Sequence, residues 1–509
     1  MGKKIVSLLC LVLLLPGCSQ LFPYDYPEAA PSPSPSPSPA PIVLPSPAPK
    51  ANMFGIAYSP VSSFQPLTDT LRHNDHIARL CYEGLFELDE TFTPQPLLCT
   101  AMETEDNITF RFTLREGVFF HDGSPLTAAD VVYSAELARQ EGNPYAARLA
   151  CVAGVYAADG RTVTVEMNRA VWNAAALFDF PIVREVTSSV APGTGPYRMT
   201  VSGEGNYLIA SDTWWREKPL PVSRIDLVAA ESADKLVYSF QYGYIAMLPA
   251  DLWETFSPGI SSGFEQVSFP SGIVQFIGIN TGREPLDDPE LRRALALALD
   301  RQGAIDAVYG ADAVAAALPV PPASPFYSHP AAERYRRDPE AAAGIMASCA
   351  QAPELELVVS LENAARVQMA EAAAESFRAA GFVVTVRALI WQDFQQALSD
   401  GDFDLCYAEA NPARNYDPRE FFLPGGAFSF GGSEAILETA ALLDTADPYA
   451  PDGSAALEAL WDAVYGELPM LTVCFRNQKF LSQRGLLSGQ TPTFANPYYR
   501  FADWTVTRE

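Results

Sequence analysis

The chain is poor in the residues that most often perform chemistry. It has only four histidines, His73, His76, His121 and His329, and they are scattered. His73 and His76 could share a helix face, but two imidazoles without a third ligand make a weak metal site. Beyond residue 18 the cysteines are Cys81, Cys99, Cys151, Cys349, Cys406 and Cys474, at long irregular spacings with no Cys-x-x-Cys pair, which argues against zinc. Contexts such as Leu80-Cys81-Tyr82 and Leu405-Cys406-Tyr407 predict buried free thiols rather than disulfides. There is no His-Glu-x-x-His segment and no histidine beside an obvious nucleophile, so a surface hydrolase is the weaker alternative. Positive charge is also scarce: 34 Lys and Arg stand against 61 Asp and Glu, a formal charge of -27. Such a surface repels nucleic acid and anionic lipid. No cofactor is implied.

What is present begins with a leader. Lys3 and Lys4 precede an apolar run from Ile5 to Leu15, then Leu15-Pro16-Gly17-Cys18. A run of about 11 residues is too short to span hydrocarbon, which needs roughly 20, and it reads as an export signal over residues 1–17. Cys18 after a small residue resembles the lipobox of bacterial lipoproteins, which implies a diacylglyceryl thiol and a lipid-anchored protein at the outer face of the cytoplasmic membrane. Residues 18–50 then form a spacer; prolines alternate with serine and alanine through much of 31–50, which favours an extended polyproline II rod. No later apolar run is long enough to cross a bilayer.

The remainder is long enough for two lobes, since single cores seldom exceed about 250 to 300 residues. Phe54 to Tyr58 reads as an opening strand and Asp75 to Phe86 as a short helix. Thr109 to Leu114 alternates with period two, and Thr127-Ala128-Ala129-Asp130 predicts a capped helix start. Asp287-Asp288-Pro289 predicts another helix start, with Ile273 to Asn280 before it as a buried strand crossing between lobes and Met470 to Phe475 as a return strand. Between them, Leu355–Leu361, Ala364–Ala380, Phe382–Ile390, Asp393–Leu398 and Phe403–Ala408 alternate strand and helix, predicting right-handed crossovers and a mostly parallel sheet. Ligands of such sheets lie beyond the strands' carboxyl ends, which points to Glu409 through Pro418.

These segments, in this order, resemble the peptide/nickel-binding family of ATP-binding-cassette solute receptors (solute-binding family 5). The matching stretches are CYEGLFELDE from Cys81, FRFTLREGVFFHDGSPLTAADVVYS from Phe110, GTGPYRM from Gly193, PLDDPELRRALALALDR from Pro285 and FDLCYAEANPARNYDPREFF from Phe403. The resemblance implies an α/β, two-lobed periplasmic-binding-protein-like fold, type II and of the large peptide-binding subclass, with mixed sheets and a hinge of crossing strands. It places lobe I at 51–272 plus 477–509 and lobe II at 273–476. It also implies a monomer that captures a small, peptide-like ligand for a permease and ATPase complex; a receptor that senses a ligand without transport is the alternative. Gly117, Gly123, Gly193 and Gly195 fit turns with positive φ, Asp130, Arg292 and Asp300 read as caps and surface pairs, and Trp214 and Trp215 as core.

Peptide-binding members clamp the ligand's amino terminus with an aspartate a few residues before the Asp-Pro pair. Here Arg414, Asn415 and Tyr416 precede Asp417-Pro418, so that aspartate is missing. Glu409 is a displaced carboxylate candidate, and Arg414 could instead grip a ligand carboxylate or phosphate. Tyr58, Tyr82, Trp391 and Tyr407 are candidate aromatic walls, each equally readable as core.

Overall fold

Two long strands carry the chain between two hydrophobic cores. The outgoing strand Phe264–Ile279 and the return strand Met470–Gln483 pair antiparallel from Phe264 opposite Gln483 to Gly278 opposite Met470. The register slips between Pro270 and Val274, because proline cannot donate to the ladder and Gly272 turns through φ +72°. Ser271 Oγ donates to the Arg476 carbonyl at 2.7 Å and satisfies a backbone group the bulge frees. Before the slip, Phe269 and Phe480 pack in the first core; after it, Val274, Phe276 and Ile277 pack in the second, with Leu471, Val473 and Phe475. The structure is a computed structural model describing residues 54–59, 65–67, 72–186, 190–203, 205–250, 263–424, 426, 429 and 432–507. The leader, Cys18 and the proline-rich spacer lie outside the described residues.

The second core is built on one sheet in the order Met247–Ala250, Met470–Gln483, Phe264–Ile279, Leu405–Ala410, Glu354–Ser360, Val383–Leu389, with Ala313–Ala315 beside the return strand. Glu354–Ser360 pairs parallel with both Val383–Leu389 and Leu405–Ala410, as alternating strands and helices require. The sheet as a whole is mixed rather than mostly parallel, because Leu405–Ala410 meets the outgoing strand antiparallel. Helix Ala364–Ala380 covers it, starting where the Asn363 side chain accepts from Arg366 N at 3.1 Å and stopping at Gly381, φ 110°. Met369, Ala370, Ala373, Ala374 and Phe377 form its buried stripe.

The first core holds two four-stranded sheets. Cys99–Glu103, Thr109–Leu114, Thr162–Met167 and Val152–Ala157 form an antiparallel one, with Phe110, Phe112 and Leu114 on its inner face. Gly55–Tyr58 adds parallel to Arg224–Ala229 in the other. The last residues return here: Phe501 packs on Phe54 and Tyr197, and Trp504 stacks on Phe480.

Three local expectations change. The first helix spans Arg72–Cys81 and does not run to Phe86, because Gly84 lies against the Asp179 backbone, where an added Cβ would be 2.8 Å from its carbonyl carbon. Gly117 and Gly123 do take positive φ, but Gly193 and Gly195 are small for another reason: a Cβ at either would run into the backbone of Cys81. Arg292 is no surface pair; it is buried and donates to the carbonyls of Glu467, Leu286 and Asp287.

Candidate functional site at the junction of the cores

The loop leaving strand Leu405–Ala410 runs straight into the first core. Asn415 Nδ2 donates to the Trp172 carbonyl at 3.0 Å, and Asn173 Nδ2 donates to the Asn415 carbonyl at 3.2 Å. Trp172 is itself buried in the second core against Phe326, ring centroids 5.3 Å apart. Tyr416 holds a left-handed φ of 45°, costing a residue with a side chain roughly 1 to 2 kcal/mol, and stacks edge-on against Phe92. Asp417 is engaged internally: its carboxylate accepts Arg419 Nε at 2.8 Å, Nη2 at 2.7 Å and the backbone N at 3.0 Å, and Arg419 also pairs with Asp444. Asn415, Tyr416 and Asp417 thus fix the loop between the lobes.

Arg414 behaves differently. It crosses to the first core, where its Nη1 lies 3.0 Å from Asp179 Oδ2 and its guanidinium 5.5 Å above the Phe494 ring. Asp179 also faces Arg148, 2.6 Å from Nη2, and Arg79, whose Nη1 donates to the Asp179 carbonyl at 2.7 Å. Burial alone would raise the Asp179 carboxyl; the charges of Arg148, Arg414 and Arg79 outweigh it and hold the group below the ordinary range. Arg148 is lowered by burial, which the Asp179 charge only partly offsets.

Two cavities open beside this cluster, the larger one mainly polar. The smaller, about 60 Å³, is lined by Arg79, Tyr82, Glu83 and Asp179 among others; the larger, about 310 Å³, by Glu87, Asp89, Gln95, Arg216, Tyr499 and Arg500. Both touch Glu87, Leu97, Arg216 and Arg500. Glu83 is the residue the sequence reading missed: buried, it accepts Trp214 Nε1 at 3.2 Å, Trp215 Nε1 at 2.8 Å and Thr194 Oγ1 at 2.9 Å. Burial raises its carboxyl despite these donors. The adjacent tryptophans carried the signal, since buried indole N–H groups need an acceptor.

The other expected residues disperse. Tyr82 lines the smaller cavity, with its hydroxyl donating to the Ala191 carbonyl at 2.8 Å. Glu409 lies in a buried network inside the second core, where Gln275 Nε2 donates to it at 2.7 Å and Arg476 pairs with it at 3.2 Å; Tyr407 donates to Gln275 Oε1 at 2.7 Å. Tyr58 accepts from Asn206 Nδ2 at 3.3 Å on the first core's sheet. Trp391 packs with Phe394 in a small cluster with Val358, Phe403 and Cys406, apart from the junction. The six described cysteines are free thiols, and burial pushes Cys81 up to about 12 and Cys99 up to about 11, well away from reactivity. Among the described residues no group of three or more His, Cys, Asp or Glu could hold a metal, and no helix is long and apolar enough to cross a membrane. The letters Gly-x-Ser-x-Gly occur at Gly259 to Gly263, but strand Phe264–Ile279 follows directly, not the helix a nucleophile elbow needs.

Two cores crossed by two strands, with a loop at their junction and cavities on the first core's side, define a two-lobed binding protein of mixed α/β architecture. Residues 93–429 match the family described as bacterial extracellular solute-binding proteins, family 5, and the chain belongs to that family. It is 25% identical over 287 residues to the oligopeptide-binding protein OppA of Bacillus subtilis, covering 48% of this chain and 52% of that one. It is 26% identical over 401 residues to a probable di/tripeptide-binding protein of Pseudomonas aeruginosa, covering 69% and 74%. The alignments with the first relatives, OppA among them, span about half of those proteins' length. The fold is similar to the ABC transporter substrate-binding protein CtaP of Listeria monocytogenes, with a TM-score of 0.70 at 17% identity, covering 90% of this chain and 100% of that one. These relatives are binding proteins, and the family places the chain outside the cytoplasm.

Proposed function

We propose that the chain is the substrate-binding component of an ATP-binding-cassette importer, taking a small peptide-like ligand between its lobes and passing it to a permease and ATPase. The observation that carries this reading is the family match over residues 93–429, laid on two cores joined by the paired strands Phe264–Ile279 and Met470–Gln483. Two strands whose register slips between Pro270 and Val274 and again between Gln275 and Phe276 make a hinge, and a ligand bound between lobes favours the closed form through contacts the open form lacks. On this reading lobe I is 51–272 with 477–509, lobe II is 273–476, Cys18 carries the lipid, and residues 18–50 hold a monomeric receptor clear of the membrane. It performs no catalysis.

The test is mass spectrometry of small molecules that co-purify with the native protein, followed by solution scattering with and without the ligand so found. A ligand that raises the melting temperature should also compact the protein. A scattering profile that such a ligand leaves unchanged would sink the clamshell reading.

A further inference from the structure

We propose that Tyr416 is the positioning residue of the hinge: closing the lobes seats its ring between Phe92 on the first core's side and Gly272 of the outgoing strand, and this seat sets the balance between open and closed forms. The inference rests on the two-lobed receptor reading and adds to it the side chain that couples the junction loop to the crossing strands.

Backbone strain gathers at the junction. Among the described residues seven other than glycine take positive φ, and four of them lie there: Phe92 at 64°, Asn107 at 53°, Asn173 at 50° and Tyr416 at 45°. Asparagine tolerates the left-handed region, but an aromatic side chain is a poor occupant of it. Such conformations persist where the surroundings over-determine them, typically at switch regions and ligand clamps. Here the two aromatic ones meet each other, Phe92 and Tyr416, with ring centroids 5.0 Å apart and planes at 72°.

Each of the two is held from its own side. Phe92 stands at the tip of the hairpin formed by Phe86–Leu88 and Pro94–Pro96, where the Asp89 carboxylate accepts Thr91 N at 2.8 Å and Thr93 N at 3.0 Å, and Phe92 N donates to the Asp89 carbonyl at 3.0 Å. Tyr416 N donates to the Ala413 carbonyl at 2.9 Å, and the neighbouring Asn415 is fixed by Trp172 and Asn173. The buried Tyr416 ring ends over Gly272: an added Cβ there would overlap the Tyr416 hydroxyl oxygen, and would lie 3.0 Å from Cζ and 3.3 Å from Phe92 Cε1. Gly272 sits in the register slip between Pro270 and Val274, where the strand passes from one core to the other. Glycine is required there twice, by a φ of +72° and by the ring above it.

The contact therefore joins three parts of the molecule: a hairpin on the first core's side, the loop after strand Leu405–Ala410 of the second, and the hinge itself. Rotation about the crossing strands cannot keep both Phe92 and Gly272 against the ring, so opening draws Tyr416 out of its seat and frees its backbone to leave the left-handed region. Burial of the ring favours the closed form, and backbone strain favours the open one. These opposed effects leave the closed form poised rather than locked, and any ligand contact that steadies the loop shifts the same balance.

The test measures the radius of gyration of the full chain by solution scattering without ligand, together with its urea midpoint and its binding of trialanine by calorimetry. Gly272→Ala should enlarge the ligand-free radius and weaken the apparent affinity for trialanine about tenfold, as a closed fraction reduced to about a tenth would. Tyr416→Phe alone should keep the native radius, and Gly272→Ala combined with Tyr416→Phe should bring the enlarged radius back toward it, because loss of the hydroxyl makes room for the new methyl group. If Gly272→Ala is insoluble, Tyr416→Gly takes its place: it keeps the left-handed backbone, removes the ring and should enlarge the radius likewise. A native radius in these variants overturns the proposal, and with a lowered urea midpoint it makes Tyr416 a packing residue only. An enlarged radius in Gly272→Ala that Tyr416→Phe fails to reduce overturns it too, since the hinge backbone alone is then responsible. If the radii change as expected and trialanine binds none of the chains, the seat stands and the peptide reading falls; if trialanine binds and the radii never change, the peptide reading stands and the seat falls.

Discussion

Glu420 follows Arg419 in the junction loop, and burial, with the Asp417 charge second, pushes its carboxyl up to about 7. Its folded value thus lies above the ordinary 4.5, so the folded chain holds a proton that the unfolded chain releases between these values. Whatever stability this contributes is complete below 4.5 and is lost as the pH rises through 7. Glu420→Gln, which cannot ionise, should therefore raise the urea midpoint at pH 8 by an amount worth up to about 3 kcal/mol, and leave it unchanged at pH 4. Equal effects at both pH values would show that the group is not perturbed. His121 works in the opposite direction. Its Nδ1 accepts from Gly193 N at 3.2 Å and its Nε2 lies 3.0 Å from the Gly195 carbonyl, a pairing that suits the neutral ring, and burial lowers its pKa. Its contribution is present above 6.5 and declines as the pH falls below that value, so the two groups must be separated by substitution rather than by titrating the native chain.

At the scale of elements, the segment Gly193-Thr194-Gly195 matters because it presses on the end of helix Arg72–Cys81. Gly193→Ala forces a methyl group onto the Cys81 carbonyl and should cost about 1 to 3 kcal/mol of unfolding free energy in urea. Gly117→Ala, with φ +71° but open space around it, should cost only the roughly 1 kcal/mol of left-handed strain. If both cost the same, close packing is not what the 193–195 segment requires. These two glycines also show where sequence reading stops. Helix Ala364–Ala380 was legible to the residue, because its buried stripe, its Asn363 cap and its Gly381 stop are all local. The crossing strands were legible as apolar runs from Ile273 and Met470, but not their extension back to Phe264, where burial becomes partial, nor on to Gln483, where polar residues such as Asn477, Gln478 and Lys479 interrupt the apolar pattern although the strand stays largely buried. Why Gly193 is glycine depends on a backbone more than 100 residues away, as does the Glu83 acceptor for Trp214 and Trp215. The candidate site was harder still. The loop from Glu409 was located by the sheet rule, yet the partner of Arg414 is Asp179, in a different core and with no motif of its own.

On the scale of the whole molecule, closure has a definable energy. Two asparagines on the first core's side, Asn107 at φ 53° and Asn173 at φ 50°, reach into the second. Asn107 Nδ2 donates to the carbonyls of Asp444 at 3.2 Å and Ala446 at 3.0 Å; Asn173 donates to the Asn415 carbonyl and accepts the Tyr449 hydroxyl at 3.0 Å. Glycine tolerates the same left-handed backbone, so Asn107→Gly with Asn173→Gly removes these bonds without adding strain. Four hydrogen bonds, two buried and two part-buried, at about 0.5 to 1.5 kcal/mol each amount to roughly 2 to 6 kcal/mol, against the about 5.5 kcal/mol that turns a 99:1 equilibrium into 1:99. The double variant should therefore populate the open form in the absence of ligand, seen as a larger radius of gyration in solution scattering. A ligand that bridges the lobes should restore the compact profile at a weaker apparent affinity, because part of its binding energy is now used to close the hinge. An unchanged radius in the double variant would mean that these asparagines do not hold the lobes together, and that closure rests on the other crossing contacts, such as Arg414 with Asp179 and Asn415 with the Trp172 carbonyl, and on the crossing strands.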